Sequence, residues 1–200
     1  PGMDGDGYNM CHAVGAGRTP VTMEMMYQLP DNMNHFYVEG AFRQPTYWCD
    51  RNGERFMPED DIFNTTFVGN AINHLPGKVG FALFDSRMLK NWKKNGPDIV
   101  SHVHPHDLYE HFEEQFEQDL DTYVDGNGDH VIARADTLEE LAEKIGIDPE
   151  GLSKNVEAYN EMCHAGYDEL FEKERQFMQP LESGPFYVCR QYMGAYGTLG

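Results

Sequence analysis

His102, His104, His106 and His111 form the densest set of metal-ligand residue types in the chain. Alternating histidines can place imidazoles on one side of a strand, as a zinc site requires. Pro105 breaks that strand and no cysteine lies nearby, so a solvated histidine-rich loop is expected. Asp121 to Asp129 carries acidic and amide oxygens around Gly126 and Gly128, in the manner of a calcium loop. Aligned by those glycines, its first ligand position is Tyr123 and no glutamate closes it, which predicts a hairpin turn. Glu113 and Glu114 have no carboxylate elsewhere that sequence alone brings near them, and are expected at the surface. The patterns GxGxxG, GxxxxGK[ST] and GxSxG are absent, so no nucleotide site or serine nucleophile follows from glycine loops.

Composition narrows the partners. Lys and Arg number 15 against 34 for Asp and Glu, a formal net charge of −19 that repels nucleic-acid phosphates and anionic membrane surfaces. The acidic residues are spread along the chain, as on a solvated surface. With 200 residues, 40% of them hydrophobic, the expectation is one domain plus part of another. Cys11, Cys49, Cys163 and Cys189 lie far apart with no CxxC, which predicts free thiols in a reducing compartment such as the cytoplasm; an export signal upstream stays open. No run approaches the roughly 18 apolar residues that a membrane span needs.

The elements that position any site follow from spacing and punctuation. Gly5 to Gly17 reads as turn, short helix, stop. Val21 to Leu29 reads as a strand closed by Pro30, and His35 to Phe56 as strands broken at Gln44-Pro45 and turned at Asp50-Arg51-Asn52-Gly53. Val79 to Phe84 has strand character, with a short helix after Asp85 (Met88, Leu89, Trp92) ending near Gly96-Pro97. Asp107 to Leu120 is expected to be helical and Val131 to Ala133 a short strand. The helix over Thr137–Ile145 has capping-box spacing from Thr137 to Glu140, one apolar face (Leu138, Leu141, Ala142, Ile145) and a stop at Gly146. A second begins at Asp148-Pro149, shares Leu152, Val156, Tyr159 and Cys163 on a face, and ends at Gly166. Phe186 to Cys189 reads as a final strand. The predicted fold class is α+β, a small mixed or antiparallel sheet packed by helices.

Four segments, in order, resemble the flavoprotein family of fumarate reductase, succinate dehydrogenase and 3-ketosteroid dehydrogenase. Gly5-Asp6-Gly7, a helix and Gly15-Ala16 are similar to its TGDG-helix-GA element in the FAD-binding lobe. Asp50 to Glu59, containing Arg55-Phe56-Met57-Pro58-Glu59, is similar to its VNxxGxRFxNE strand-turn-strand. Ala135 to Ala142, Ile145 to Pro149 and Asn155 to Asn160 resemble its ADTLEELAxxIGxDP…VxxYN stretch, the most specific of the four. Gly184 to Tyr187 through Gly197-Thr198-Leu199-Gly200 resembles the return from the substrate cap to the FAD lobe. Residues 64 to 130 match weakly.

The resemblance implies FAD as cofactor and hydride transfer between flavin and a carbon–carbon bond of a small-molecule substrate held under a capping domain. It implies residues 1–29 as an FAD-lobe remnant, 30–185 as the cap and 186–200 as the return strand. The partners are then the rest of the FAD lobe and an electron donor or acceptor protein. Gly5, Asp6, Gly7 and Thr198 would touch the flavin edge. Since the dinucleotide fingerprint is missing from these residues, the isolated chain is expected to hold no FAD and to be inactive.

The family's dicarboxylate clamp is also missing. Leu29 stands where fumarate reductases have a histidine, Phe63 where they have the proton-delivering arginine four residues after the RFxNE glutamate, Gly197 where they have a second histidine, and Phe42 where an arginine follows the matched Glu39. Fumarate and succinate are therefore poor expected substrates, and a neutral, apolar enone or steroid-like one is expected. Gly194 to Gly200 resembles the ketosteroid dehydrogenase GDLGTxGG, in which a glycine amide, here that of Gly197, and a tyrosine polarise a ketone; the tyrosine usual four residues after the RFxNE glutamate is Phe63 here, which leaves the acid or base unassigned, with Tyr192, Tyr196, Tyr187 and Tyr47 as the candidates. A second reading is a reductase of another activated alkene, such as an unsaturated or aromatic acid, oriented by Glu39, Arg43 or Arg55. Arg55 equally serves packing of the RF element. A third reading is a binding or structural domain without chemistry.

Overall fold

A computed structural model describes residues 5–17, 25–28, 40–99, 116, 118, 120, 121, 123, 124 and 131–195, with only the backbone course at 25–28 and 195. The sheet is built around β3 (Val79–Asp85) and β5 (Phe186–Ala195). Every residue of β3 is buried, as its continuous apolar run VGFALF predicts for a central strand. Its outer neighbour is β2 (Tyr47–Cys49). On the other side β5 pairs with β3 from Phe186 to Tyr192, with β4 (Ile132–Ala135) from Phe186 to Cys189, and with β1 (Met25–Gln28) from Tyr192 to Ala195. All these pairings are antiparallel, so the predicted α+β class with an antiparallel sheet holds.

Helices pack on this sheet by amphipathic faces. In α3 (Ser86–Asn95), Met88, Leu89 and Trp92 are buried, and the Asp85 side chain caps the helix by accepting from Arg87 N and Met88 N. α4 (Leu138–Ile145) starts with Thr137 accepting from Glu140 N and stops at Gly146, whose φ of 80° suits glycine; it buries Leu141, Ala142 and Ile145. The Arg190 guanidinium donates to Ile145 O at 2.6 Å, placing a cation at that helix's negative end. α5 (Pro149–Ala165) is capped by Asp148 and buries Leu152, Val156 and Tyr159, while Cys163 is only half-buried.

Several elements differ from expectation. Only Tyr47–Cys49 is strand between His35 and Phe56 among the described residues, with an isolated bridge from Cys49 to Arg55. The Gln44 side chain explains the break: its amide donates to Gly40 O and Ile99 O and accepts from Ile99 N, holding the chain in a turn beside the helical residues 40–42. β5 runs six residues beyond Cys189 because Tyr192–Ala195 finds β1 as a partner. A helix absent from the sequence reading, α2 (Thr65–His74), follows a 3-10 turn over Glu59–Phe63 and is capped by Asn64. The described residues of 116–123 are helical, past the expected end at Leu120. The histidines of 102–111, Glu113, Glu114 and the 125–129 turn lie outside the described residues.

The predicted turn at Asp50–Gly53 seats on the start of α5. Asp148 N donates to Arg51 O at 2.8 Å, and Gly53 has φ 76° with the position of a Cβ only 2.5 Å from Leu152 Cα. Gly53→Ala therefore combines a left-handed backbone with a backbone collision. It is expected to destabilise the fold by roughly 2–4 kcal/mol, read by thermal or urea unfolding; an unchanged midpoint would show that the turn does not pack on α5.

Candidate functional site: a buried ion quartet and an exposed aromatic edge

Two features lie in and after the RF segment. The first is a buried ionic cluster. Arg55 Nε and Nη2 donate to Glu59 Oε1 and Oε2 at 2.7 and 2.6 Å, and its Nη1 and Nη2 donate to Asp168 Oδ1 and Oδ2 at 3.0 and 2.7 Å. Lys173 Nζ donates to Thr46 O and to the Tyr159 hydroxyl, and lies 3.5 Å from Glu59 Oε2. All four charged side chains are at most 2% exposed and their formal charges cancel. Burial disfavours the Arg55 cation, but bonds from Glu59 and Asp168 override it and raise its pKa further. Burial likewise opposes ionisation of Asp168, and the Arg55 hydrogen bonds and charge win, holding it at about 2. Burial lowers the Lys173 pKa, with Glu59 acting in the opposite direction.

Arg55 thus spends its guanidinium on two internal carboxylates and stacks 4.8 Å from the Tyr159 ring. The role of orienting an anionic substrate does not fit this geometry; the packing role does. A cleft of about 280 Å³ lies alongside, lined by Tyr47, Glu54, Arg55, Asn155, Met162 and Phe171 among others. Neither Asp168 nor Lys173 stood out in the sequence, because nothing in the local spacing of residues 167–175 announces a partner more than a hundred positions away.

The second feature is an exposed aromatic edge. Phe63 ends the 3-10 turn and is 65% exposed; Phe67, in the first turn of α2, is 38% exposed. α2 packs against β1 and β5, so this edge is carried on the strands that lead to Leu29 and Tyr196 in the sequence. Tyr192 is half-buried on β5 between Val79 and Gln28. Phe42, by contrast, is fully buried with its ring 4.9 Å from Phe84, a core position rather than a substrate-facing one. Tyr47 donates to Gly53 O at 2.8 Å and burial drives its pKa up; Tyr187 stacks on Phe84. The Tyr47 hydroxyl is thus spent on a backbone carbonyl within the core. Arg43 is half-buried. Leu29, Glu39, Tyr196, Gly197 and Thr198 lie outside the described residues.

Gly5, Asp6 and Gly7 open α1 (Asp6–Ala13). Gly5 has φ 82°, no side chain caps the helix, and a Cβ at Gly5 or Gly7 would meet nothing within 4 Å. Nothing among the described residues packs on this helix start. The sequence pattern for the family described as FAD binding domain matches residues 1–200. The chain belongs to that family. FAD is the cofactor for which the family is defined.

Relatives and structures agree. The chain is 26% identical over 205 residues to the vinyl phenol reductase of Lactiplantibacillus plantarum, covering 98% of this chain and 41% of that protein. The open form of a flavocytochrome c3 fumarate reductase superposes with a TM-score of 0.58 at 20% identity, over 96% of this chain and 28% of that one. A 3-ketosteroid Δ1-dehydrogenase from Sterolibacterium denitrificans, in complex with 1,4-androstadiene-3,17-dione, gives 0.60 at 22% identity, over 96% of this chain and 35% of that one. The chain therefore spans less than half the length of these relatives. Among the described residues all four cysteines are free, no cluster of metal ligands forms and no helix is long and apolar enough to cross a membrane.

Proposed function

We propose that the protein is an FAD-dependent oxidoreductase that moves a hydride between flavin and a carbon–carbon bond of a neutral, apolar, enone-like or steroid-like substrate. The observation that carries this reading is the exposed Phe63, which stands where the resemblance places the cation that fumarate reductases use; Phe67, four residues on, is exposed too. The nearest cation in the motif, Arg55, is neutralised by Glu59 and Asp168. Desolvating an unpaired dicarboxylate against such an edge is costly, whereas an apolar ring is stabilised by it. The relative named for a vinyl phenol, an alkene without a carboxylate, supports an uncharged substrate though not a ketone, whereas the relatives named for acrylate and urocanate favour the second reading. The competing assignment, an unsaturated or aromatic acid, loses Arg55 as its anchor.

In this reading residues 1–29 belong to the FAD lobe, 30–185 form the cap and 186–200 return from it. One observation supports setting the first segment apart: α1 buries none of its residues, while β1 and β5 join the sheet of β2, β3 and β4. Bound FAD supplies the hydride chemistry; Gly5 to Gly7 and Thr198 would touch its edge, the aromatic edge would exclude water from the substrate, and Tyr192, Tyr196 and the Gly197 amide would polarise a ketone oxygen. An electron donor or acceptor protein completes the proposed partners.

The test is turnover by the full-length protein: reduction or dehydrogenation of 2-cyclohexenone or 4-androstene-3,17-dione is expected, and rapid fumarate reduction without enone activity would overturn the reading. The 200-residue chain alone is expected to stay colourless after incubation with excess FAD and gel filtration, because its sequence has no glycine-rich turn to receive the pyrophosphate. A stoichiometric yellow complex would refute this.

A further inference from the structure

We infer that the segment Asp168–Glu174 is a positioning element for Phe63, so that Asp168 and Lys173 set substrate binding from a distance; this rests on the reading of Phe63 as substrate-facing. The segment holds both of the first two residues of the 3-10 turn that ends at Phe63. Glu59, fully buried, is reached through Arg55 from Asp168 and approached directly by Lys173 at 3.5 Å. Asp60 accepts from Glu174 N at 2.9 Å. Asp168 is itself fixed by donors from Leu170 N and Lys173 N, so the segment is a closed loop folded around its own carboxylate. On the opposite side Glu59 also accepts weakly from Trp48 N at 3.4 Å, tying the turn to β2.

The consequence is geometric. Phe63 is largely exposed and has little packing of its own to fix it, so the course of its turn is determined at Glu59 and Asp60. A buried quartet with balanced charge tolerates little displacement, because moving one ion leaves another uncompensated in a low-dielectric interior. A change at residues 168 to 174 is therefore transmitted to the substrate edge as a shift of the turn rather than absorbed locally.

The experiment uses the full-length holoenzyme with Asp168→Asn, Phe63→Ala, the double variant and Asp60→Ala, assayed with 2-cyclohexenone and 4-androstene-3,17-dione. Asp168→Asn is expected to raise KM about 10-fold with kcat held within about 3-fold, and to add nothing in the Phe63→Ala background. A fall in kcat at unchanged KM, which mere loss of folded enzyme produces, or additive effects in the double variant, overturns the inference. An unchanged KM in Phe63→Ala alone removes the substrate-facing reading and the inference with it, and is recognisable because Asp168 is untouched. Where Asp168→Asn does not fold, Asp60→Ala deletes only the half-buried acceptor of Glu174 N–H and should give the same split at about 3-fold. A 4-fluorophenylalanine placed at position 63 gives a readout independent of substrate: its fluorine resonance should move in Asp168→Asn and Asp60→Ala while a probe at Phe84 stays put. Equal movement of both probes would show a general loosening instead.

Discussion

Arg55→Met is expected to destabilise the protein by about 3–5 kcal/mol, the range for removing one member of a buried, paired set of charges. The variant leaves Glu59, Asp168 and Lys173 with an uncompensated negative charge at positions no more than 2% exposed, and removes the stacking on Tyr159 and Phe171. Urea unfolding of full-length protein would read it, and a change under about 1 kcal/mol would mean that the cluster is solvated or loosely held. The effect also has a pH signature. The Asp168 pKa is depressed from 3.8 to about 2 in the folded state, so its contribution is present above the unfolded value and is lost as pH falls through the folded one. Asparagine resembles the protonated acid. The stability gap between wild type and Asp168→Asn should therefore be about 2 kcal/mol near pH 6 and close progressively between pH 4 and pH 2. A gap that widens on acidification would show that the sign of the Arg55–Asp168 coupling is wrong.

The second large effect concerns the substrate edge. Phe63→Arg in the full-length enzyme is expected to lower kcat/KM for a neutral enone by about 100-fold, since an unpaired guanidinium must be desolvated against an apolar ligand. Folding should change little, because the position is 65% exposed. Binding of fumarate should tighten, yet efficient reduction is not expected, because Leu29 and Gly197 still stand where the family's histidines would be. Unaltered enone kinetics with normal stability would place the substrate elsewhere.

Much of the framework was legible because its signals are local. Thr137, Gly146, Asp148, Pro149 and Gly166 punctuate α4 and α5, and the observed caps use those side chains and those positive φ angles. The run Val79 to Phe84 announced a strand, and the structure adds that all of it is buried. α2 was not legible: its buried set is Val68, Gly69 and Ile72, too small an apolar face to stand out among Thr65, Thr66, Asn70 and Asn73. It is stabilised by tertiary contact with β1 and β5 rather than by propensity. The quartet was half legible. Arg55 and Glu59 were readable from a motif, but their other partner sits 113 residues away, and no periodicity encodes a through-space charge complement. The aromatic edge became interpretable only when the resemblance supplied the residue that Phe63 replaces.

The strand order has a bearing on how the chain is made. β5 is the common neighbour of β1, β3 and β4, and it emerges last of the five from the ribosome. Until Phe186 to Ala195 has cleared the exit tunnel, β1 and β4 lack the edge they hydrogen-bond to, and β3 has only the short β2 beside it. The α4–α5 helix pair can form early from neighbouring sequence, whereas the sheet closes late through contacts spanning most of the chain. Nascent chains halted before residue 186 should therefore expose the apolar face of β3 and depend on chaperones, while chains halted far enough beyond residue 195 for β5 to have left the tunnel should not.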